Sequence, residues 1–247
     1  MDEISVVRTG QVGYESASLA QRGLASARRE GTVGDLLLLL EHPPVYTKGR
    51  RTSADELPMG EQWYRMQGFE IVETDRGGRL TYHGPGQIVA YPIVDLAGLG
   101  FGVREFVKRM ETAMIGALGD FGVGAGLIEG LTGVWVGETP PPQGDARKIG
   151  SIGLRVRGSI TTHGLAINVN NDLQPFEWVM PCGIEACRMT SVARERGAEQ
   201  DLAAFASTVA ARLAQRCDRE PTELSAGELA KLVPEASPLV AGALAPS

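Results

Sequence analysis

Cysteine is scarce in this 247-residue sequence. Its three residues include no CxxC pair, which excludes a disulfide framework and a structural zinc site and points to a reducing compartment. Long apolar runs are missing too. The longest, Leu36 to Leu40, is five leucines, where a membrane-spanning helix needs about 20. The N-terminus, MDEISVVRTG, carries early acids in place of a signal core, so the chain reads as soluble and cytoplasmic. Positive charge is not in excess: 24 Lys and Arg face 30 Asp and Glu, a net charge of −6. That balance argues against a protein that coats nucleic acid or an anionic membrane. Histidine is limited to His42, His83 and His163, which lack the paired spacing of a zinc site, so no metal is expected.

Glycine and proline are plentiful, 32 and 14 residues, or about 19% of the chain against an average near 12%. Such a backbone is rich in turns and close approaches, which suits a strand-rich fold with functional loops. The length fits one large domain, or one with a small appendage. Tyr14, Ala17, Ala20, Leu24 and Ala27 share a helical face that ends near Gly31 and reads as a packing helix. Leu36 to Leu40, stopped by Pro43-Pro44, reads as a buried strand. Further strands are expected at Phe69 to Thr74, Arg79 to Tyr82, Gln87 to Asp95 and Gly133 to Gly137. A hairpin follows, with Ile152, Leu154 and Val156 on one arm, a Gly158-Ser159 turn, and Leu165 to Val169 on the other. Helices are expected at Val103 to Leu118 with Gly119 as the stop, from Asp201 onward, and from Ser225, where Glu228 completes a capping box and Pro234 ends the helix. The proline-rich Thr139 to Gly144 stretch reads as a stiff, exposed loop. These elements make an α/β (α+β) domain with a mixed, mainly antiparallel sheet over residues 1–190, a small helical part over 191–237 and an unstructured tail from Pro238.

Chemistry concentrates in a few places. Arg76-Gly77-Gly78-Arg79-Leu80-Thr81-Tyr82-His83-Gly84-Pro85-Gly86-Gln87 joins two strands, with glycines that admit a ligand to the backbone or simply form a hairpin turn. The block lacks the GK[ST] of a phosphate loop. Gly122-Val123-Gly124-Ala125-Gly126-Leu127 misses the dinucleotide fingerprint at its last position and reads as a connector. His42 and His163 read as histidines satisfied within the fold. Cys217 falls at a helix end and reads as packing. Cys182 sits in Pro181-Cys182-Gly183-Ile184, where a following glycine N–H would face an oxyanion, and Cys187 is its rival as a nucleophile. Activating a thiol near neutral pH needs a cation beside it, and Lys148, in Arg147-Lys148-Ile149-Gly150-Ser151-Ile152-Gly153, is the candidate; its other reading is a solvated strand-end lysine.

Charge placement favours the first reading. Three stretches, 42–54, 76–94 and 146–171, carry nine Lys and Arg and no acid, so the remainder has a net charge of −15. A positive local field on an acidic protein suits an acidic partner and a lowered thiol pKa.

Together, the segment from Glu41 to Arg50 (EHPPVYTKGR), RGGRLTYHGPGQ, RKIGSIG, HGLAINV, PCGI and Met189-Thr190-Ser191 resemble the octanoyltransferases of lipoate biosynthesis, in order, from about residue 4 to about residue 216. The resemblance implies a catalytic domain like that of the biotin and lipoate ligases. It implies transfer of an octanoyl group from acyl carrier protein to a lysine of the lipoyl domains of 2-oxoacid dehydrogenases or of the glycine-cleavage H protein, without metal or cofactor. By the same resemblance, Cys182 is the nucleophile, Lys148 its activator, and the acyl group lies against Arg76, Gly77, Gly78, Arg79, Leu80, Thr81, Tyr82 and His83, against Ser151, Ile152 and Gly153, and against Gly164, Leu165 and Ala166. Two other readings remain: an ATP-dependent lipoate or biotin ligase that adenylates a free acid, and a non-catalytic module that binds acyl carriers or lipoyl domains.

Overall fold

Five consecutive leucines need apolar contact on both faces of a sheet, and the computed structural model, which describes residues 2–180 and 187–243, supplies it. Leu37 and Leu39 enter one core while Leu36, Leu38 and Leu40 enter the other. The strands are β1 (Glu3–Gln11), β2 (Asp35–Glu41), β3 (Val45–Lys48), β4 (Glu70–Glu73), β5 (Thr81–His83), β6 (Gln87–Ile93), β7 (Gly126–Ile128), β8 (Leu131–Val136), β9 (Arg147–Arg157), β10 (Ile160–Asn168), β11 (Arg188–Met189) and β12 (Glu220–Glu223). The helices are α1 (Tyr14–Glu30), α2 (Glu61–Met66), α3 (Leu96–Leu99), α4 (Val103–Asp120), α5 (Gln174–Glu177), α6 (Val192–Arg196), α7 (Leu202–Arg216), α8 (Ala226–Leu232) and α9 (Pro238–Ala243).

A large mixed sheet runs β12-β1-β2-β6-β10-β9-β8-β7, with β11 paired to β9, and a small sheet runs β4-β3-β5. Parallel pairs occur at β12-β1, β1-β2, β11-β9 and β3-β4, and the others are antiparallel. On one face of the large sheet, Phe106, Met110 and Met114 of α4 pack with Phe205, Val209 and Leu213 of α7. On the other, Ala17, Ala20 and Leu24 of α1 meet Leu229 of α8 and Leu239. A third core, rich in aromatics, joins the small sheet to Phe176 and Val179 through Tyr46, Tyr64 and Tyr82. Among the described residues no helix is long and apolar enough to cross a membrane.

The expected helices form where their caps place them. Gly31 ends α1 at φ 77°, Asp201 accepts the Ala204 amide at the start of α7, and Ser225 and Glu228 form the box that opens α8. Each such cap contributes about 1 kcal/mol. Three expectations fail. Gly119 does not stop α4, which continues to Asp120 and is capped by Phe121. The region after residue 191 is not purely helical, because β12 pairs with β1. The tail is helical over Pro238–Ala243, where fully buried Leu239 anchors it to the α1 core. In the proline-rich loop, Asp145 Oδ1 accepts the Glu138 and Thr139 amides, and the Gly144 carbonyl accepts from Arg188.

Candidate active site

The antiparallel β9–β10 hairpin brings Gly153 opposite Gly164 and Ser151 opposite Ala166. The absent side chain at Gly164 lets Ala90 and Pro92 of β6 approach closely, and that at Gly153 admits a second segment above the hairpin. The 76–80 segment lies over it: the Gly77 amide donates to the Leu154 carbonyl, and a Cβ at Gly153 would come within 3.0 Å of both Gly77 O and Arg76 Cδ. Arg76, only 6% exposed, is turned away from solvent and donates to the Thr47 carbonyl at 2.6 Å and to Thr47 Oγ1 at 2.7 Å. The fully buried Glu56 carboxylate accepts from Arg79 at 2.8 Å and from the Leu80 amide at 3.0 Å. These bonds fix the glycine-rich segment as one wall of a cavity of about 200 Å³.

Of the segments expected to bind the acyl group, 76–83, 151–153 and 164–166, all residues line this cavity except Gly77 and Tyr82. Gly77 faces a neighbouring groove, and Tyr82 packs its ring among Tyr46, Phe69 and Phe176. Lys148 also lines it. It is 4% exposed, so the reading as a solvated strand-end lysine is excluded. Its Nζ lies 5.3 Å from the centre of the Trp135 ring, a cation–π arrangement. Room for this side chain depends on Gly133. That residue has φ 110°, its amide is held by Glu111 at 2.9 Å, and a Cβ there would sit 2.5 Å from Gly150 O and 2.8 Å from Lys148 Cε.

Cys182 lies outside the described residues. The chain is fixed on both sides of residues 181–186. Before them, Met180 donates its amide to the Glu56 carbonyl, and the Tyr64 and Tyr46 hydroxyls donate to Trp178 O and Pro175 O, each at 2.6 Å. After them, Met189 pairs with Lys148, and the Thr190 amide donates to the Lys148 carbonyl at 2.9 Å. Cys187 packs against the aromatic core and the Trp135 cluster. Cys217 is buried, which pushes its thiol up to about 12 and leaves it inert packing.

The three histidines, distant in sequence, share one buried cluster beside the cavity. His42 Nδ1–H donates to the Val12 carbonyl at 2.6 Å, which leaves Nε2 to accept from the Tyr91 hydroxyl at 2.8 Å. Burial lowers its pKa to about 4. Its ring lies 5.5 Å from that of His83. His83 Nδ1–H donates to Gln87 Oε1 at 2.6 Å, since the Gln87 amide nitrogen is committed to Tyr82 O and Asn168 Oδ1. Burial, followed by the charge of a protonated His42, holds the His83 pKa well below the ordinary value. Asn168 Nδ2 in turn donates to Thr190 O at 3.0 Å, so a hydrogen-bonded path runs from His83 to Thr190, whose own amide donates to the Lys148 carbonyl. His163 sits at φ 57° with Nε2 2.7 Å from Asp75 and Nδ1 3.4 Å from the Tyr14 hydroxyl. Desolvation lowers its pKa against the opposing pull of Asp75. The cluster therefore presents neutral imidazoles. Among the described residues, no group of His, Cys, Asp and Glu has the arrangement of a metal site.

Several lining residues carry no motif signal. Tyr14 reads in sequence as a packing residue of α1 and in space lines the cavity with Val89 and Tyr91 of β6. The charge pattern is also modified in three dimensions. Lys48 pairs with Glu61 and Glu73, Arg79 with Glu56, Arg147 with Glu195 and Arg155 with Asp75, all acids outside the basic stretches. Much of the positive field expected from the sequence is therefore neutralised locally.

The family described as Lipoyl protein ligase A/B catalytic domain matches residues 14–214. An octanoyltransferase of Roseiflexus sp. (strain RS-1) is 39% identical over 96% of this chain and 97% of its own length. One from Myxococcus xanthus is 40% identical over 85% of this chain, which spans 58% of that longer protein. A bipartite lipoate protein ligase from Thermoplasma acidophilum, 16% identical, superposes with a TM-score of 0.69 over 91% of this chain and 88% of its own, and so shares the fold. The chain belongs to the lipoyl protein ligase A/B catalytic domain family and, within it, to the octanoyltransferases, a family of acyltransferases.

Proposed function

We propose that this protein transfers an octanoyl group from acyl carrier protein to a lysine of lipoyl domains or of the glycine-cleavage H protein, through a thioester on Cys182. The observation that carries the reading is Lys148: an amine at the wall of a glycine-walled cavity, on the strand to which the chain leaving residues 181–186 is paired.

In the first half-reaction the Cys182 thiolate, stabilised by the Lys148 ammonium, attacks the octanoyl carbonyl. A new C–S bond forms, the tetrahedral oxyanion is met by main-chain N–H groups, and the C–S bond to the carrier breaks as its sulfur leaves, taking a proton from the Lys148 ammonium and leaving Lys148 as the neutral amine. In the second, the amine of the acceptor lysine attacks the acyl-Cys182 carbonyl, Lys148 removes the extra proton from nitrogen, and the Cys182 thiolate is released. Amide replaces thioester, which drives the transfer forward. The donor is already activated, so ATP has no role. The acyl chain lies between the 76–83 wall and the 151–153 and 164–166 strands, and His83 orients it. The mechanism requires a reduced thiol, in keeping with the cytoplasm.

The test mixes octanoyl carrier protein with an apo lipoyl domain in the absence of nucleotide and follows acceptor mass. Octanoylation of the acceptor lysine is expected. Transfer that instead requires ATP and free octanoate would overturn the reading in favour of a ligase, and binding of either protein without turnover would leave a non-catalytic module.

A further inference from the structure

A second cavity, of about 220 Å³, opens between α1 and the outer half of the β9–β10 hairpin. Four arginines line it, Arg22 and Arg29 from α1 and Arg155 and Arg157 from β9, against a single carboxylate, Asp75. That carboxylate is already engaged, paired with Arg155 and bonded to His163 Nε2 at 2.7 Å. Arg22 donates to Ser18 Oγ at 3.0 Å and Arg29 to the Arg157 carbonyl at 3.4 Å, both neutral acceptors. Gln21, 2% exposed, also lines the cavity. Its Oε1 accepts the His163 amide at 2.6 Å, while its Nε2 is buried with no acceptor.

We propose that this cavity is an anion site for a phosphate group, held by the Arg22, Arg29 and Arg157 guanidiniums. Guanidinium forks match the oxygens of phosphate, and several of them around one small cavity suit a multiply charged tetrahedral anion. The site adjoins the acyl cavity because His163 lines both, and Asp75 links His163 to Arg155. The phosphate has two possible sources: a free phosphate or small phosphorylated metabolite, or the phosphodiester of a donor's prosthetic arm. The second source rests on the transfer reaction proposed above.

Titration calorimetry of the full-length protein with inorganic phosphate, against chloride at equal ionic strength, tests the site. Saturable one-site binding is expected, weakened about tenfold or more in Arg29→Glu/Arg157→Glu and to a smaller degree in the milder Arg29→Gln/Arg157→Gln, as charge-assisted bonds are lost. Absence of saturable binding in the parent, or equal affinity in both variants, would overturn the proposal. Initial rates then distinguish the sources. If the donor's arm is the ligand, Arg29→Glu/Arg157→Glu raises the KM for octanoyl carrier protein about tenfold and leaves that for octanoyl-N-acetylcysteamine, which lacks phosphate, unchanged. If the ligand is free phosphate, neither KM changes, and the site stands with a small-molecule source. Failure of the parent to transfer octanoyl groups would count against the transfer reaction alone, because phosphate binding is read without turnover.

Discussion

Two walls of the glycine-lined cavity carry nitrogen bases, and they are built differently. On one, Lys148 is a single buried amine over the Trp135 ring, given room by Gly133. On the other, His83 and His163 line the cavity with His42 buried behind them, and their ring nitrogens are tied to Val12, Gln87, Tyr91, Asp75 and Tyr14. Basic residue type is therefore a poor guide to reactive role. The lysine amine is proposed to take and return a proton at the cavity wall, whereas the hydrogen bonds of the histidine wall fix tautomers and hold a shape.

The largest effect belongs to the lysine wall. Lys148→Ala should reduce octanoyl transfer about a thousandfold in single-turnover assays, within the range for loss of a general base, with the urea midpoint little changed. Gly133→Ala comes next. Its Cβ would collide with Gly150 O and displace Lys148, so kcat should fall about a hundredfold, the scale associated with misplacing a catalytic group by about 1 Å. A Gly133→Ala variant with parental kcat would show that Lys148 needs no reserved space.

The histidine wall should appear first in stability. His42 has a folded pKa of about 4 against an ordinary 6.5, so the unfolded chain binds more protons between those values. Stability is then full above about pH 6.5 and is lost as pH falls toward 4, by about 2 kcal/mol at pH 5 from this residue alone. Burial depresses the His83 and His163 pKa values as well, which adds loss of the same sign. Urea midpoints at pH 7 and pH 5 measure it, and an unchanged midpoint would contradict the neutral cluster. His83→Gln should raise the donor KM about tenfold while leaving the pH profile of kcat intact. Disappearance of a limb of that profile would make His83 an acid or base in the reaction. The smallest expected effect is at Cys217, whose thiol pKa of about 12 should leave it unalkylated by iodoacetamide in the folded protein near neutral pH.

Much of this architecture was legible in the sequence, and particular residues show where legibility ended. Leu36 to Leu40, the Gly31 stop, the Asp201 cap and the 152–169 hairpin are local signals, and each element formed where its signal lay. β1 went unseen because buried Val6 and Val7 are adjacent and break the alternation of a half-buried strand. Leu239 lies in a short, alanine-rich tail whose helix is stabilised by tertiary burial against α1, which no window of sequence displays. At the site, glycine-rich blocks marked the cavity walls, yet Tyr14 and Tyr91 were invisible because an apolar-patterned tyrosine reads as core. The three histidines looked independent for want of spacing, and the sheet brought them together. Charge was the converse case. The stretches free of acid are real in sequence, and folding returns acids to them through Glu56, Asp75 and Glu195.

The central claim is that Cys182 carries the acyl group and Lys148 governs its transfer. Intact-mass measurement after incubation with octanoyl carrier protein, in the absence of acceptor, tests it most directly. The parent should gain the mass of one octanoyl group, Cys182→Ser none, and Lys148→Ala the same adduct far more slowly. An adduct of equal size and rate in Cys182→Ser, or none in the parent, would contradict the account.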